Sequence, residues 1–423
     1  MLAPADAAVA RRDTAIPGLA LVLDPEAIAD RLRVARPATG PTSARVRYVR
    51  YKPGTSCLVG LELEVAGRWT PAFAKAYRCD DRTKLAKASD RSSGELTTFE
   101  TELAVVGRTA DDRDLRLPSR LADPGTRGQL LRSLLPREAD LWKDEPRCLR
   151  YKPERRWVGL VARSGEPVAL VKGYRGSDLA RARAGLSFAR TIPVATPRLI
   201  GRSNRAGAVA SSWLSGVPLS ELCGGVARSV EDFSEVGQAL AALHAQPPGD
   251  LSPSPPIDDA DAVIAAAAGV GALVPESSSM VARLGVALAR RLDAGSVAMT
   301  PRHGDFSPDQ VIIGASRIAF IDFDRSGVGD PATDLGQFVA TLELDALRGL
   351  AGAGALEART ATLLDGYRSA GGQAASERVA LHVAASLVRL AVEPFRLRWA
   401  DWPEATKLLL ERAATVSPLT ARP

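Results

Sequence analysis

An internal repeat is the feature that most constrains the fold of this chain. Residues 46–78 and 147–175 both contain Arg-Tyr-Lys-Pro, then Gly-Leu, and then an apolar run that ends in Lys-x-Tyr-Arg. Because both tetrapeptides and both endings occur in the same order, chance is a poor explanation of the similarity. Each copy reads as three short strands, since alternating or β-branched runs are separated by turn residues. The sequence therefore predicts that one antiparallel sheet occurs twice in tandem.

A weaker similarity extends the repeat. Residues 115–136 and 194–216 both read as a strand, a polar turn and a second strand. We therefore expect a whole lobe, made of a sheet and a helix, to occur twice. Ahead of the first copy, residues 1–14 lack any period and are predicted to be disordered. Asp24, as an N-cap, opens a predicted helix over 24–35.

Helical periodicity dominates the chain after residue 222. The predicted helices cover 230–245, 278–294, 333–350, 355–370, 375–398 and 403–416. Two short strands within 311–324 interrupt this run, and the stretch 247–261 reads as a proline-rich loop. A small antiparallel lobe that precedes a mostly helical large lobe is an α+β layout, with a cleft expected between the lobes.

These patterns predict four parts in the chain. The first is an N-terminal segment with one helix, and the second is a duplicated, degenerate small lobe. The third is a small lobe with a hinge, and the fourth is a helical large lobe. They are expected to cover residues 1–45, 46–146, 147–222 and 223–423, in that order.

Composition excludes several classes of function. The 423 residues include 55 Lys and Arg against 49 Asp and Glu, a net charge of +6, and 5% of the residues are aromatic. This mild charge argues against a dedicated nucleic-acid binder, which shows basic stripes with interleaved aromatic residues. No window approaches the roughly 18 apolar residues that a membrane span needs. We expect a soluble, cytoplasmic protein with no membrane or nucleic-acid partner.

The cysteines and histidines do not form a metal motif. Cys57, Cys79, Cys148 and Cys223 are scattered without Cys-x-x-Cys spacing, and the chain has only three histidines. The sequence therefore predicts thiols in a reducing compartment rather than zinc ligands.

Acidic and amide side chains are concentrated in residues 303–336, which read HGDFSPDQVIIGASRIAFIDFDRSGVGDPATDLG. Asp305 follows His-Gly, Gln310 lies just before one predicted strand, and Asp322 lies near the end of the next. A hairpin of these strands can bring the three side chains to one rim of the sheet. Such oxygens suit phosphoryl transfer, because Mg²⁺ takes one or two protein oxygen ligands and a separate Asp orients the attacking hydroxyl.

The segments HGDFSPDQ, IDFD and GDPATDLG resemble the aminoglycoside phosphotransferase and choline kinase group of the protein-kinase-like fold. The motif of that group reads H-G-D-x-x-x-x-N, then I-D-[FWL]-[DE], then G-D-P-x-x-D-L. Residues 147–216 resemble the small lobe that precedes this motif. The resemblance implies a bilobal kinase-like fold, in which 147–222 is the kinase-like small lobe and hinge. It also implies ATP or GTP and Mg²⁺ as cofactors.

Carried over by position, the resemblance implies a role for each matching residue. Asp305 would be the catalytic base that positions the hydroxyl. Asp322 would be one metal ligand, and Gln310 would be the other, at a position that usually holds Asn. Gln at this position is also found in maltokinase-like sugar kinases. Lys172 would be the phosphate-binding lysine.

Three other residues of the motif are interpreted as structural. His303 is expected to be a packed, hydrogen-bonded anchor of the catalytic loop. Asp330 and Asp334 are expected to fix loops and to begin a helix, where Asp and Thr suit the N-terminus.

The nucleotide side of the site is expected on the second copy. Residues 147–222 include 14 Lys and Arg against 4 Asp and Glu, a net charge of +10 that suits a triphosphate. In the hinge-like segment WLSGVPL, the backbone at Trp213 and Leu214 is expected to meet adenine. The basic residues of the turn between the first two strands either meet phosphate or form a solvated basic turn. These residues are Lys152, Arg155 and Arg156.

The choice of phosphate-binding lysine stays open between Lys172 and Lys75. Lys172 is favoured because the second copy leads directly into the hinge and the large lobe. No Glu occurs between Glu166 and Glu221 to pair with Lys172, and Asp178 is the only acid in that stretch. Lys75 is followed by several acidic candidates for such a pair, which are Glu95, Glu100 and Glu102.

Three functions are weighed on this basis. The first is a nucleotide-dependent kinase that acts on a hydroxyl of a small molecule, such as a sugar, an aminosugar or an aminoglycoside. The second is a Ser/Thr kinase of a natural-product precursor peptide. The third is a pseudokinase that serves as a binding module; the intact Asp305 and Asp322 argue against it, and the missing Glu argues for it. We expect the small-molecule kinase.

Overall fold

The computed structural model describes residues 2–89, 96–223, 231–254, 256–294, 297–314, 318–349 and 353–417. The chain divides into two compact units. The first unit comprises Met1–Leu179, Ile200–Ser211 and Pro394–Pro403, and the second comprises Ala180–Leu199, Ser212–Glu393 and Glu404–Pro423. The repeated segments 46–78 and 147–175 therefore both belong to the first unit, and the predicted catalytic segment 303–336 belongs to the second.

The chain begins with three helices and the first sheet. These elements are α1 (Pro4–Arg12), α2 (Leu19–Leu23), α3 (Pro25–Ala35), β1 (Ser43–Lys52), β2 (Ser56–Val65), β3 (Arg68–Tyr77), α4 (Arg82–Ser89), β4 (Thr97–Phe99) and β5 (Ala104–Arg108). The predicted helix over 24–35 is confirmed, and the Asp24 carboxylate caps it by accepting from the backbone N–H groups of Glu26 and Ala27.

Two predictions for the N-terminal segment are wrong, because it contains three helices rather than one and residues 4–12 are helical rather than disordered. Tertiary contacts explain the difference. The buried Asp6 carboxylate accepts hydrogen bonds from Arg398 Nη1 at 3.0 Å and from Trp402 Nε1 at 3.2 Å. Partners almost 400 positions away leave no local periodicity in the sequence.

The second copy follows two further helices. The elements are α5 (Arg116–Ala122), α6 (Pro124–Leu134), β6 (Arg147–Lys152), β7 (Arg156–Arg163), β8 (Glu166–Tyr174), α7 (Leu179–Ala189), β9 (Leu199–Ser203) and β10 (Ala208–Ser212). The two strands predicted within 194–216 are confirmed, but 115–136 forms helices instead of strands. Asp123 caps α6 through the N–H of Gly125, with Pro124 at its first position. The Asp-Pro pair repeats the start of α3 and is a helix signal.

The two sheets have the same strand order. It is β1-β2-β3-β5-β4 in the first copy and β6-β7-β8-β10-β9 in the second. The register also repeats, since Tyr51 lies opposite Cys57 and Tyr151 lies opposite Trp157. Each sheet follows a pair of helices, α2 and α3 or α5 and α6. The predicted duplication of an antiparallel sheet is confirmed, and it includes helices that the sequence comparison missed.

A buried or half-buried carboxylate holds the first hairpin turn in each copy. Asp13 accepts from the Tyr51 hydroxyl and from the Gly54 N–H, both at 2.7 Å. Asp112 accepts from the Tyr151 hydroxyl at 2.8 Å and from the Glu154 N–H at 2.7 Å. We call each of these arrangements a carboxylate clamp. The tyrosine of the repeated Arg-Tyr-Lys-Pro segment is therefore one partner of the clamp, which gives a physical reason for its presence in both copies.

The two copies share one apolar core, to which they contribute opposite faces of their sheets. Side chains alternate between the faces of a strand, so Phe73 and Tyr77 share the Lys75 face of β3. On β8, Ala169 and Val171 lie on the face opposite to Lys172. The core joins these faces through α5 and α6, and its members include Leu58, Phe73, Tyr77, Val105, Leu117, Leu131, Trp157, Ala169 and Val171. The lysine-bearing face of the first sheet is therefore covered by the second copy.

The remaining elements are mainly helical. They are β11 (Val217–Pro218), α8 (Leu219–Cys223), α9 (Glu231–His244), α10 (Pro256–Leu273), α11 (Ser278–Asp293), β12 (Thr300–Arg302), β13 (Val311–Ile313), β14 (Ile318–Phe320), β15 (Gly327–Gly329), α12 (Ala332–Leu347), α13 (Ala353–Ser369), α14 (Ser376–Leu390), α15 (Glu393–Arg396) and α16 (Trp402–Val416).

The helical predictions for this part are largely confirmed, and so is the mixed α+β fold class. Two differences have local causes. Helix α10 begins at Pro256, inside the stretch that reads as a loop, since proline is tolerated in a first helical turn. The pattern over 375–398 divides into α14, which ends at Leu390, and α15, which begins at Glu393, because Pro394 has no N–H to donate to the Leu390 carbonyl. No helix among the described residues is long and apolar enough to cross a membrane.

The clamp in the second copy predicts a pH-dependent stability. Burial raises the pKa of Asp112 to about 6, above the value of about 3.9 in an unfolded chain. A carboxyl with a raised pKa contributes stability below its unfolded pKa, and that contribution is lost as the pH rises through about 6. Between pH 4 and pH 7, we expect the parent to lose on the order of 2 kcal/mol of unfolding free energy relative to Asp112→Asn. Urea denaturation at each pH measures this difference, and a constant difference would contradict the assignment.

Candidate active site

The predicted catalytic segment forms a closed loop in the second unit. Strand β12 pairs antiparallel with β15, so that Arg302 lies opposite Gly327. Between these strands the chain makes a 3-10 turn over Pro308–Gln310, the β13–β14 hairpin and a second 3-10 turn over Phe323–Arg325. The two ends of the loop are joined where Ser326 Oγ donates to the His303 carbonyl at 3.3 Å.

A buried aspartate fixes the start of the predicted catalytic loop. Asp334, near the start of α12, accepts from the His303 N–H at 2.6 Å and from the Gly304 N–H at 2.8 Å. His244 Nε2 lies 3.1 Å from the same carboxylate, and its Nδ1 lies 2.8 Å from the Tyr367 hydroxyl. Burial alone raises the pKa of Asp334, but the hydrogen bond and charge of His244 outweigh it and lower the pKa. A charged carboxylate thus holds two consecutive backbone amides of the loop.

His303 is the anchor that the sequence predicts. Its side chain is fully buried, and its Nε2 lies 2.9 Å from the Ile321 carbonyl. The imidazole also packs against the rings of Phe306 and Phe323, with centroid distances of 5.5 and 4.8 Å. It therefore ties the catalytic loop to the segment that carries Asp322.

Gly304 is required by the close approach of two backbones. Its φ is +80°, a conformation that favours glycine. A Cβ at this position would also clash with the carbonyl oxygen of Arg325. The glycine of the His-Gly-Asp motif thus lets Asp305 lie beside the turn that follows Asp322.

The three predicted oxygen donors lie in this one loop cluster. The Gln310 carbonyl accepts from the Ile321 N–H at 2.9 Å, which places Gln310 beside the residue that precedes Asp322. Asp322 has a left-handed φ of +66° and begins the second 3-10 turn. Asp305 Oδ1 lies 3.8 Å from Arg325 Nη1 in that turn, and its side chain is 36% exposed. The structure therefore brings Asp305, Gln310 and Asp322 to neighbouring positions of the backbone.

The oxygen donors of this cluster suit a divalent ion that is bound together with phosphate. Among the described residues, no group of three or more His, Cys, Asp or Glu side chains is placed to hold a metal. Mg²⁺ does not need such a cage, because it keeps several waters and takes one or two protein oxygens together with phosphate. An amide oxygen from Gln310 and a carboxylate from Asp322 are hard oxygen donors of this kind, so the residues fit Mg²⁺ bound with a nucleotide.

Asp330 fixes the segment that leads into α12. Its carboxylate accepts from Arg378 Nε at 2.6 Å and from the Ala332 N–H at 2.9 Å, and it lies 2.8 Å from His382 Nε2. Burial raises the pKa of Asp330, but His382 and Arg378 outweigh it, so the pKa lies well below its ordinary value. Asp330 and Asp334 therefore fix loops and the start of a helix, as the sequence predicts.

The residues predicted to bind the nucleotide are divided between the two units. Lys172 lies half-buried on β8 opposite Val158, in the first unit. The basic turn after β6 also lies in the first unit, with Lys152 Nζ 5.6 Å from the Tyr48 ring centroid. In the second unit, Trp213 and Leu214 are half-buried in the segment between β10 and β11. Arg155 and Arg156 lie in and after the same basic turn.

The acidic partner of Lys75 is not one of the residues expected from the sequence. Lys75 Nζ lies 2.5 Å from Glu154 Oε1, in the first hairpin turn of the second copy. Glu102 pairs instead with Arg31, Glu100 is exposed, and Glu95 lies outside the described residues. The sequence around Lys75 does not point to Glu154, because this partner lies in the next copy of the repeat. Alignment of the repeats offers a signal, since Glu154 stands where the first copy has Gly54.

The family of the chain follows from comparison with known proteins. Residues 150–382 match the phosphotransferase enzyme family, abbreviated APH. This match spans more than half of the 423 residues, so the chain belongs to that family. The resemblance seen in the sequence is thereby confirmed, and with it the protein-kinase-like fold class and a small-molecule phosphotransferase activity. Comparison with curated proteins finds no match.

Several solved structures are similar at low sequence identity. A choline/ethanolamine kinase family protein from Mesorhizobium loti is 17% identical over 71% of this chain and 96% of that chain, with a TM-score of 0.48. Wild-type aminoglycoside 2′-phosphotransferase-IIIa in its GDP complex is 18% identical over 69% and 99%, with a TM-score of 0.47. A glucosamine kinase with glucosamine, ADP and inorganic phosphate is 17% identical over 61% and 82%, with a TM-score of 0.45. The family match, rather than these distant similarities, assigns the chain.

Replacing Asp334 by Asn should destabilise the protein strongly. The Asn amide can accept from only one of the two loop N–H groups and places its own donors against the other. Breaking such a buried charged network costs about 3–5 kcal/mol of unfolding free energy. Chemical denaturation at pH 7 measures the loss. Asp309→Asn is the control, because Asp309 is exposed in the same loop and its replacement should change stability by less than about 0.5 kcal/mol.

Proposed function

We propose that this protein transfers the γ-phosphate of ATP or GTP, as a magnesium complex, to a hydroxyl of a small molecule. The acceptor class that we propose is a sugar, an aminosugar or an aminoglycoside. The observation that carries the proposal is the placement of Asp305, Gln310 and Asp322 in one loop cluster. The buried Asp334 carboxylate supports it, because it makes this cluster rigid.

Asp305 is the residue proposed to act on the acceptor. Its partly exposed carboxylate can accept the proton of the acceptor hydroxyl, whose oxygen then bonds to the γ-phosphorus. The bond between the γ-phosphorus and the bridging oxygen breaks, and the nucleoside diphosphate leaves. The reaction asks for little covalent work by the protein, so the rigid loop contributes mainly by positioning the carboxylate.

Gln310 and Asp322 are the residues proposed to hold Mg²⁺. When bound, the ion neutralises charge on the phosphate oxygens as the phosphoryl group is transferred. The backbone hydrogen bond from the Ile321 N–H to the Gln310 carbonyl fixes the spacing between Gln310 and Asp322. Gln in place of Asn keeps an amide oxygen. The longer, flexible side chain of Gln310 is compatible with binding of this oxygen to the ion.

The second copy of the repeat is proposed to bind the nucleotide. Lys172 would meet the α- and β-phosphates, and the basic turn residues Lys152, Arg155 and Arg156 would meet the phosphate chain. The backbone at Trp213 and Leu214 would meet the adenine or guanine ring. This assignment is supported by the net charge of +10 over residues 147–222. It is also supported by the first copy, in which the face of the sheet that carries Lys75 is covered by the shared apolar core.

Asp305→Asn tests the role of the carboxylate. We expect the variant to keep the affinity of the parent for ATP in the presence of Mg²⁺, because the fold and the phosphate contacts remain. Its turnover should fall on the order of 10²–10⁴-fold, the usual contribution of a general base. Calorimetric binding of ATP and release of ADP measure the two effects. Transfer at the parent rate would show that Asp305 has another role.

A matched control and an acceptor screen complete this experiment. Asp365→Asn makes the same substitution at an exposed position of α13, and it should leave binding and turnover unchanged. A panel of sugars, aminosugars and aminoglycosides is then tested for stimulation of ADP release by the parent. An acceptor in the proposed class stimulates release, whereas a panel without any stimulation would contradict the acceptor class.

A further inference from the structure

The two copies of the repeat differ at one strained position of the first hairpin turn. Gly54 in the first copy has a φ of +64°, and Glu154 at the same place in the second copy has a φ of +58°. A left-handed conformation is unfavourable for a residue with a side chain, whereas glycine adopts it freely. Strain of this kind persists where the surrounding structure over-determines it, often at functional places. The Glu154 side chain therefore has contacts that keep it at a position suited to glycine.

Those contacts are two cations of the first copy. Glu154 Oε1 lies 2.5 Å from Lys75 Nζ, and its other carboxylate oxygen pairs with Arg50. Burial raises the pKa of Glu154, but the charges and hydrogen bonds of Lys75 and Arg50 outweigh it and lower the pKa. The group is thus a carboxylate. In the proposed function the counterpart of Lys75 is Lys172, so an acidic side chain occupies the first copy where the second copy would place phosphate.

Other contacts fasten the same turn to the first copy. The Tyr151 hydroxyl and the Glu154 N–H both donate hydrogen bonds to the Asp112 carboxylate. Pro153 lies against β2, since a Cβ on Gly60 would be 3.2 Å from its Cδ. Three contacts therefore hold the turn 152–156 against the first copy. They are the Glu154 N–H on Asp112, Pro153 against β2, and the Glu154 carboxylate on Lys75 and Arg50.

The space left beside the ion pair is small. A cavity of about 280 Å³ is lined by both partners of the pair, together with Tyr77, Lys84 and Asp112. Pockets for small ligands usually range from about 300 to 1,000 Å³. The pairing of Lys75 with Glu154 beside this cavity indicates that the first copy has a structural role.

We propose that Glu154 is a positioning residue, which pairs with Lys75 and Arg50 of the first copy and thereby holds the 152–156 turn in the conformation that binds nucleotide phosphates. This proposal rests on the proposed function, because it takes the turn as part of the nucleotide site. Its physical basis is preorganisation: a turn that is already ordered loses less conformational entropy when ATP binds. The first copy would thus act on nucleotide affinity without touching the nucleotide.

Glu154→Gln in the full chain tests the proposal. The variant keeps the shape of the side chain and removes its charge, so we expect the dissociation constant for ATP with Mg²⁺ to rise about tenfold, as for the loss of a hydrogen bond to a charged group. Lys75→Gln should have the same effect, and Lys75→Arg should keep the parent affinity because it preserves the pair. Glu166→Gln is the matched control, since Glu166 is exposed at the other end of the β7–β8 hairpin.

A purely structural role is distinguished by a second pair of measurements. Glu154→Gly removes the pair but relieves the left-handed strain, so its unfolding midpoint should stay close to that of the parent while its affinity for ATP falls. If Glu154→Gln, or Lys75→Gln where the former fails to fold, binds ATP as the parent does, the positioning role is wrong. If the parent itself binds no ATP, the proposed function fails instead.

Discussion

Buried carboxylates that accept backbone N–H bonds are the interaction on which the functional parts of this protein depend. Asp334 holds the amides of His303 and Gly304, and so fixes the loop that carries Asp305. Asp112 holds the amide of Glu154, and so fixes a hairpin turn in the other unit. Backbone amides bound to a buried charge cannot be released without leaving that charge unpaired, which is costly. The same kind of interaction thus makes the loop that carries Asp305 rigid and orders the basic turn 152–156.

Duplication gave the two copies of the sheet different environments. The Lys75 face of the first sheet is covered by α5, α6 and the second copy, whereas Lys172 lies on the face of the second sheet that is outside this core. A lysine in a covered sheet needs a fixed counterion, and Glu154 supplies it. The Lys-x-Tyr-Arg pattern of the first copy is therefore explained without a nucleotide bound to that copy. The lysine now serves an internal ion pair, and its tyrosine neighbour serves the core.

The sequence predicts well those features that arise from local patterns or from a dense motif. The repeat, the helices after residue 222 and the clustering of Asp305, Gln310 and Asp322 all follow from short-range spacing. Features that depend on distant partners were missed. Helix α1 is held by Asp6 through Arg398 and Trp402, and Lys75 is paired with a residue from the next copy. Helix α6 lies where the similarity to 194–216 predicts strands, although its Asp-Pro start is a local signal for a helix.

The number of nucleotides bound per chain tests most directly the claim that only the second copy is a nucleotide-binding lobe. Equilibrium dialysis with ATP and Mg²⁺ should give one nucleotide per chain in the parent, and binding should be lost in Lys172→Met. Two nucleotides per chain would contradict the account, and so would one nucleotide bound by Lys172→Met with the affinity of the parent.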